Sequence, residues 1–351
     1  MTTRFQVSEI LNDDETLSRK AVVKLGTSGQ IKFETPSKVG VGSLVQMPIY
    51  EAYKSVTPDT IKKCLESEEN NRYQFGEIKK RCKGRFNILT LEYDSKYDVP
   101  TDKMIAQLSD MQYDHTNAIT TPSWYRLIAK EDGTDADLYL NLTGKYLDVA
   151  STRNNKPIIG NIPNCIPAGK LERVIKFYID RDVTSFVVDY NSHTFLSSPW
   201  IRTFHRIIDS YDIEKECITY SINAFQGIIQ KNQEKTEAKD FLEFSVGFDI
   251  MGEKHTRKYS QTNENGSVAI GRIFERNTYN YRKKKCSSVQ EVQALKERSI
   301  LEQNEELKVV RTAINEKSIK QLLMEKDLLE ETRNEIFRTK NDTGCSLDGF
   351  I

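Results

Sequence analysis

The amino-acid sequence predicts an α/β chain: a TIM-type (β/α)8 barrel with a β-rich entry segment before it and a helical extension after it. Three observations carry the expectation. Short apolar runs recur about every 30 residues between positions 156 and 249, each followed by a segment of helical period. The runs are apolar on both faces, as parallel strands covered by helices are. Each turns polar at its C-terminal end, where Asn161, Asp189, Asn191, Asn223 and Asp249 stand. In parallel α/β folds that edge carries the chemistry.

Residues 1–44 read as the entry segment, with short apolar runs at 5–7, 21–25 and 30–33 between Asp, Gly and Ser. The barrel is expected over 45–285, with its first strand at 45–50 (VQMPIY). Thr57-Pro58-Asp59 opens a helix: Thr caps it, Pro suits the first turn and Asp suits the dipole. The second strand, 86–93, ends in Glu92, Tyr93 and Asp94, and alternation turns Glu92 toward the barrel wall. Met104, Ile105, Leu108 and Met111 mark an amphipathic helix. Strands three to eight follow at 117–121, 156–162, 184–190, 217–223, 242–249 and 268–274, with a further helix over 135–150.

C-terminal helices are expected over 286–340, where Glu, Lys, Gln and Leu dominate and Pro and Gly are missing between 289 and 340. Leu295, Leu301, Leu307, Val310 and Ile314 form a stripe that suits packing on the barrel wall or a coiled partner segment. Residues 341–351 read as a tail.

Composition narrows the classes of function. Lys and Arg total 51 and Asp and Glu total 51, so no bulk electrostatic partner is implied. No apolar run approaches the roughly 20 residues of a membrane span, and the first residues lack a secretory core. The cysteines at 64, 82, 165, 217, 286 and 345 form no CxxC pair, which points to a cytoplasmic protein with reduced thiols. Neither GxGxxG, a P-loop nor GxSxG occurs, and no cofactor is expected. His115, His193, His205 and His255 have no metal-binding spacing, so no metal is expected.

Carboxylates at strand ends are the candidate catalytic groups. Asp249 closes the run 242–249 and is the expected nucleophile, with Asp94 or Asp189 as the partner acid–base. Asn161, Asn191, His193 and Asn223 at the same edge are candidate substrate contacts. Two basic clusters suit phosphate: Lys79-Lys80-Arg81 with Lys83 and Arg85, and Arg282-Lys283-Lys284-Lys285, which follows Tyr279 and Tyr281. Arg257 is a further candidate nucleic-acid contact, or a salt-bridge partner for Asp249.

Gln303-Asn304-Glu305-Glu306-Leu307, continuing KVVRTAINEKSIKQLL, is similar to the late helix of tRNA-guanine transglycosylases. Phe248-Asp249 followed by Thr256-Arg257 resembles that family's nucleophile segment, and Phe33-Glu34-Thr35-Pro36 its entry to the barrel. The resemblance implies a TIM barrel that exchanges guanine in tRNA or DNA for a 7-deazaguanine base, with Asp249 attacking the ribose anomeric carbon. The sequence also departs from the family. Asp94-Ser95 stands where a DSGGFQ-type segment is expected, Asn161-Ile162-Pro163-Asn164 replaces QGG, and of the zinc motif only Cys286 occurs in the right region. Two alternatives stay open: a non-catalytic nucleic-acid-binding subunit of the same fold, and an unrelated barrel enzyme for a small metabolite. Pairing of two chains through the barrel or the C-terminal helices is compatible with each.

Overall fold

Eight short parallel strands make the centre of the molecule. The structure is a computed structural model that describes residues 5–25, 31–42, 44, 47–81, 85–131, 133–153, 156–194, 199–213, 216–230, 232–255 and 269–343. An antiparallel meander comes first: β1 (Gln6–Asn12), β2 (Arg19–Leu25) and β3 (Ile31–Thr35). Barrel strands β4 (Ser37–Lys38), β5 (Ile49–Val56), β6 (Phe86–Tyr93) and β7 (Ala118–Thr120) follow. A small hairpin, β8 (Ala129–Lys130) with β9 (Gly133–Thr134), precedes barrel strands β10 (Ile158–Pro163), β11 (Ser185–Asp189) and β12 (Thr219–Ile222). Then come β13 (Lys235–Glu237), the last barrel strand β14 (Ile250–Met251), and the pair β15 (Ala269–Glu275) and β16 (Asn280–Cys286).

The sheet order is β4-β14-β12-β11-β10-β7-β6-β5, and a Gly40–Tyr50 bridge joins its two ends. Gly40 makes that closure: its N–H donates to Ile49 and its carbonyl accepts from Glu51, at 2.8 and 2.9 Å. A Cβ there would sit 2.6 Å from Met47 and 2.7 Å from the Leu44 carbonyl.

Alternation along the strands divides the core in two. Ile49, Ile88, Ala118, Ile159, Val187, Tyr220 and Ile250 point inward and pack together. Leu89, Ile119, Ile158, Val188 and Met251 point outward, against the helices. Those helices are α1 (Pro58–Glu66), α2 (Glu68–Arg81), α3 (Asp102–Tyr113), α4 (Tyr125–Ile128), α5 (Ala136–Ser151), α6 (Leu171–Ile179) and α7 (Pro199–Ser210). Thr57, Thr101 and Asp135 cap α1, α3 and α5 with side-chain oxygens, each accepting one of the first free N–H groups. Helix α7 buries Trp200, Ile201, Phe204, Ile207 and Ile208, each worth about 1.5–3 kcal/mol. The meander plugs the N-terminal end of the barrel: Phe33 stacks on Phe86 at 5.4 Å and Phe5 meets its edge at 5.7 Å. The C-terminal strand ends form the other rim, the mouth.

Helix α8 (Val289–Asn315) runs unbroken past Asn304, capped by Ser288, and α9 (Ile319–Met324) and α10 (Glu330–Thr343) complete the chain. Leu295, Leu307, Val310 and Ile314 are buried, whereas Leu301 is exposed. Asn304 accepts from the Lys38 N–H, and Arg311 donates to the Pro36 carbonyl, so α8 lies along the barrel's first strand. No helix among the described residues is long and apolar enough to cross a membrane.

The fold class agrees with the sequence expectation, and the strands at 86–93, 117–121, 156–162, 184–190 and 217–223 form as expected. Both ends of the barrel are corrected. The first barrel strand is Ser37–Lys38, inside the expected entry segment, and β5 overlaps the expected 45–50 only at its end. Ser-Lys carries no apolar signal: Lys38 faces outward and is buried by its ion partners. Residues 242–249 are not a strand. Leu242–Val246 is a 3-10 turn ended by Gly247 at φ 94°, and the barrel strand spans Ile250–Met251, so Asp249 enters it at its N-terminal end. The 268–274 run does form a strand, β15, but it pairs antiparallel with β16 outside the barrel.

Candidate functional site at the barrel mouth

Inward positions near the mouth are polar where those deeper in the barrel are apolar. On β5, Glu51 and Tyr53 follow Ile49; on β6, Thr90 and Glu92 follow Ile88; on β10, Asn161 follows Ile159; on β11, Asp189 follows Val187. Glu92 therefore faces the interior, against expectation, because Tyr93 is the outward residue and packs on Trp124 at 5.7 Å. Asn161 is fully buried, and neither atom of its amide has a hydrogen-bond partner among the described residues. Thr90 Oγ1, the Tyr220 hydroxyl and Glu51 Oε2 are likewise buried without a partner among those residues. Buried polar atoms normally find one, so this group is a set of unsatisfied polar atoms inside the barrel.

Asp189 lies at the floor of the mouth. Its Oδ1 accepts from Asn223 Nδ2 at 2.9 Å and from the Asn191 N–H at 3.0 Å, and Oδ2 accepts from Ser123 at 3.2 Å. Burial pushes its carboxyl above the usual range, those three donors oppose the shift, and Glu92 adds to it. Tyr53 stands close by. Burial, then the charges of Asp189 and Glu92, push its hydroxyl far up. Asn191, Ser192 and Asn223 have φ of 44°, 70° and 57°. Left-handed residues other than glycine cluster at functional sites, because the surrounding structure must hold them there.

A second group enters from β5 and the segment after β14. Glu51 Oε1 accepts from the Glu253 N–H at 3.0 Å and lies 2.5 Å from His255 Nε2. The His255 ring stacks on Tyr53 at 4.6 Å with an interplanar angle of 10°, and the His255 backbone N–H donates to Asn223 Oδ1 at 2.9 Å. Asn223 thus bridges His255 and Asp189. Glu253 turns away from the mouth: Lys38 reaches it at 3.0 Å and Lys296 at 3.1 Å. Burial opposes its ionisation, but the two lysines hold its carboxyl down at about 2. Asp94, at the end of β6, is paired with Arg126 and accepts from Ser55 at 2.8 Å. His193 lies in the loop after β11, where its carbonyl accepts from the Phe225 N–H at 3.0 Å.

Asp249 stands at the opposite end of the barrel. Its strand begins at Ile250, so it occupies the N-terminal side, 1 % exposed. Arg19 of the meander donates to both carboxylate oxygens, through Nε at 2.8 Å and through Nη2, and Thr219 donates from its N–H and hydroxyl at 2.8 and 3.0 Å. Where β14 reaches the mouth the residue is Gly252, and a Cβ there would sit 2.4 Å from the Ser221 carbonyl and 2.5 Å from Glu51. Arg257 lies outside the described residues, as do Lys83 and the side chains of Lys79, Lys80 and Arg81.

The tyrosines of the second basic cluster are core residues. Tyr279 is fully buried with its hydroxyl on Glu306 at 2.9 Å, and Tyr281 donates to Asp240 at 2.9 Å. They pack with Phe274, and Tyr279 also with Phe241, so neither can stack on a base. Arg282, Lys284 and Lys285 are exposed, with Arg282 paired to Glu275 at 2.6 Å. Lys283 lies opposite Arg272, which donates to the Gly227 carbonyl at 2.9 Å in the loop after β12. Lys254 lies close enough to Arg272 that, after burial, the arginine's charge is the next cause lowering its pKa. A cationic strip of Lys254, Arg272 and Lys283 therefore borders the mouth.

No family model matches the sequence, and no relative is found among curated proteins. Function is therefore read from the residues themselves. Sequence reasoning missed Glu51, Tyr53, His255, Lys254 and Arg272. Alternation from Ile49 gives a signal for Glu51 and Tyr53. Nothing local gives one for His255, which takes its place through contacts with β5 and Asn223. Among the described residues no group of three or more His, Cys, Asp and Glu side chains could hold a metal.

Proposed function

We propose that the protein works on a nucleic acid at the barrel mouth, exchanging a guanine-type base by breaking and remaking a glycosidic bond. The observation that carries this reading is the inward polar group: Glu92 on β6, Asn161 on β10, Asp189 on β11 and Asn223 just after β12, with amide atoms of Asn161 that have no partner among the described residues. A purine base offers donors and acceptors along one edge, which carboxylates and amides match. The strip of Lys254, Arg272 and Lys283 beside the mouth suits the phosphates.

The roles divide by environment. Asp189, whose burial favours the protonated form, donates a proton to the leaving base. Asp94 carries its own counter-ion, Arg126, and is the more open of the two, with 22 % of its side chain exposed. It attacks the anomeric carbon: a carbon–oxygen bond forms, the carbon–nitrogen bond breaks, and its electron pair leaves with the base. The incoming base reverses the sequence and returns the proton to Asp189. Asp249 has no part in this reading.

Wild type, Asp189→Asn and Asp94→Asn are to be compared for incorporation of labelled guanine into tRNA and into DNA. The expected result is incorporation by wild type, lost by at least about a hundredfold in Asp189→Asn, with denaturant-stable adducts lost in Asp94→Asn. One observation favours a non-catalytic binding subunit instead: β14 presents Gly252 at the mouth and no carboxylate. Tight nucleic-acid binding without any incorporation would establish that reading.

A further inference from the structure

We infer that the mouth also hydrolyses the glycosidic bond, with Glu51 and His255 as the pair that activates water. The inference rests on the base-exchange reading and adds an activity to it. Exchange needs one carboxylate to hold the sugar and one acid to serve the base, and Asp94 and Asp189 fill those places. A buried carboxylate bonded to an imidazole is then left over in the same mouth.

Its geometry is that of a general base. Glu51 has no exposed side-chain surface, while His255 keeps 19 % of its own. The ring is fixed by three contacts: Glu51 at Nε2, Tyr53 against its face and Asn223 at its backbone N–H. Nδ1 has no partner among the described residues. A neutral imidazole whose Nε2–H is held by a carboxylate presents the Nδ1 lone pair as acceptor. Asn223 also holds Asp189, so the pair is tied to the carboxylate that serves the leaving base. The charged groups around the ring are Glu51 from β5, Asp189 from β11 through Asn223, and Glu92 from β6 through Tyr53. Glu253 of its own segment is neutralised by Lys38 from β4 and Lys296 from α8, and Lys254 adjoins it in sequence.

The base has left with the proton of Asp189, and the sugar is bonded to Asp94. A water oxygen forms a bond to the anomeric carbon while its proton passes to His255 Nδ1. The electron pair of the carbon–oxygen bond returns to the Asp94 carboxylate. Glu51 stabilises the imidazolium, which releases the proton to solvent, and Asp189 takes one up. The products are an abasic strand and the free base.

Guanine-containing oligoribonucleotides and oligodeoxyribonucleotides serve as probes, with abasic sites counted when no free base is supplied and labelled-guanine incorporation measured in parallel. Wild type should form abasic sites. In His255→Gln and Glu51→Gln the ratio of hydrolysis to incorporation should fall by at least about tenfold. The pH profile of hydrolysis should lose its acid limb in His255→Gln, which a merely structural role would not cause. Incorporation without abasic sites in wild type overturns the inference and leaves base exchange standing. So does an unchanged ratio in both variants. Neither incorporation nor abasic sites overturns both. Thermal melting confirms folding, and Glu51→Gln carries the test if His255→Gln does not fold.

Discussion

Replacing Asp249 by asparagine separates the two ends of the barrel. The change keeps the size of the side chain and removes its charge. In the native protein the carboxylate takes two bonds from Arg19 and two from Thr219, with 1 % of the Asp249 side chain and 12 % of the Arg19 side chain exposed. Breaking one partner of a buried ion pair costs about 3–5 kcal/mol, because the remaining charge stays desolvated. The amide oxygen can still accept from Thr219, which places Asp249→Asn near the lower end, about 3 kcal/mol. At roughly 2–4 °C per kcal/mol for a large domain, the melting temperature should fall by about 6–12 °C. Replacing both partners, Arg19→Met with Asp249→Leu, should recover much of the loss, since apolar pairs often substitute for buried ion pairs. Differential scanning calorimetry gives the melting temperature, and base incorporation per folded molecule gives the function. The expected outcome is a less stable protein with wild-type incorporation. An Asp249→Asn variant that melts with wild type yet has lost incorporation would refute the placement of Asp249 away from the chemistry.

Asn161→Leu replaces a buried amide that has no partner among the described residues, so it should stabilise the fold by about 1–3 kcal/mol while abolishing guanine binding; melting and isothermal calorimetry on one preparation check the pair. Burial pushes the Glu243 carboxyl up to about 8 from the ordinary 4.5, so the folded protein binds an extra proton between those values and loses stability as pH rises through that window. Glu243→Gln should flatten that fall in melting temperature between about pH 4.5 and 8. Lys254→Glu with Lys283→Glu should weaken binding to tRNA or duplex DNA and reduce the salt slope by roughly 0.9 per lost phosphate contact, measured by fluorescence anisotropy across a salt series.

Much of the fold is legible along the chain, and the reason is local. A parallel strand covered on both faces by helices must be apolar on both faces, and the runs ending in Asp189 and Asn223 show that directly. Thr57-Pro58-Asp59 announces its helix because capping involves only neighbouring residues. The same locality placed Asp94, Asn161, Asp189 and Asn223 at the mouth, since strand direction alone sets which end of a run faces it.

Tertiary structure alone decided the remainder. Ser37–Lys38 is a barrel strand only because Gly40 closes the sheet and Asp240 and Glu253 neutralise a buried lysine, and those partners lie some two hundred residues away. Asp249 looks like a strand-end carboxylate, yet Gly247 in a left-handed conformation ends a 3-10 turn just before it and moves the start of the strand past it. That one shift sends the carboxylate to Arg19 and leaves Gly252 at the mouth. Tyr279 and Tyr281 read as stacking residues beside lysines until their hydroxyls find Glu306 and Asp240 in the core. Glu51 and His255 stand 204 positions apart and meet only when the barrel closes. Alternation and capping are properties of a few adjacent residues and survive in a sequence; ion pairs, register and closure belong to the folded chain, because their partners are brought together only by folding.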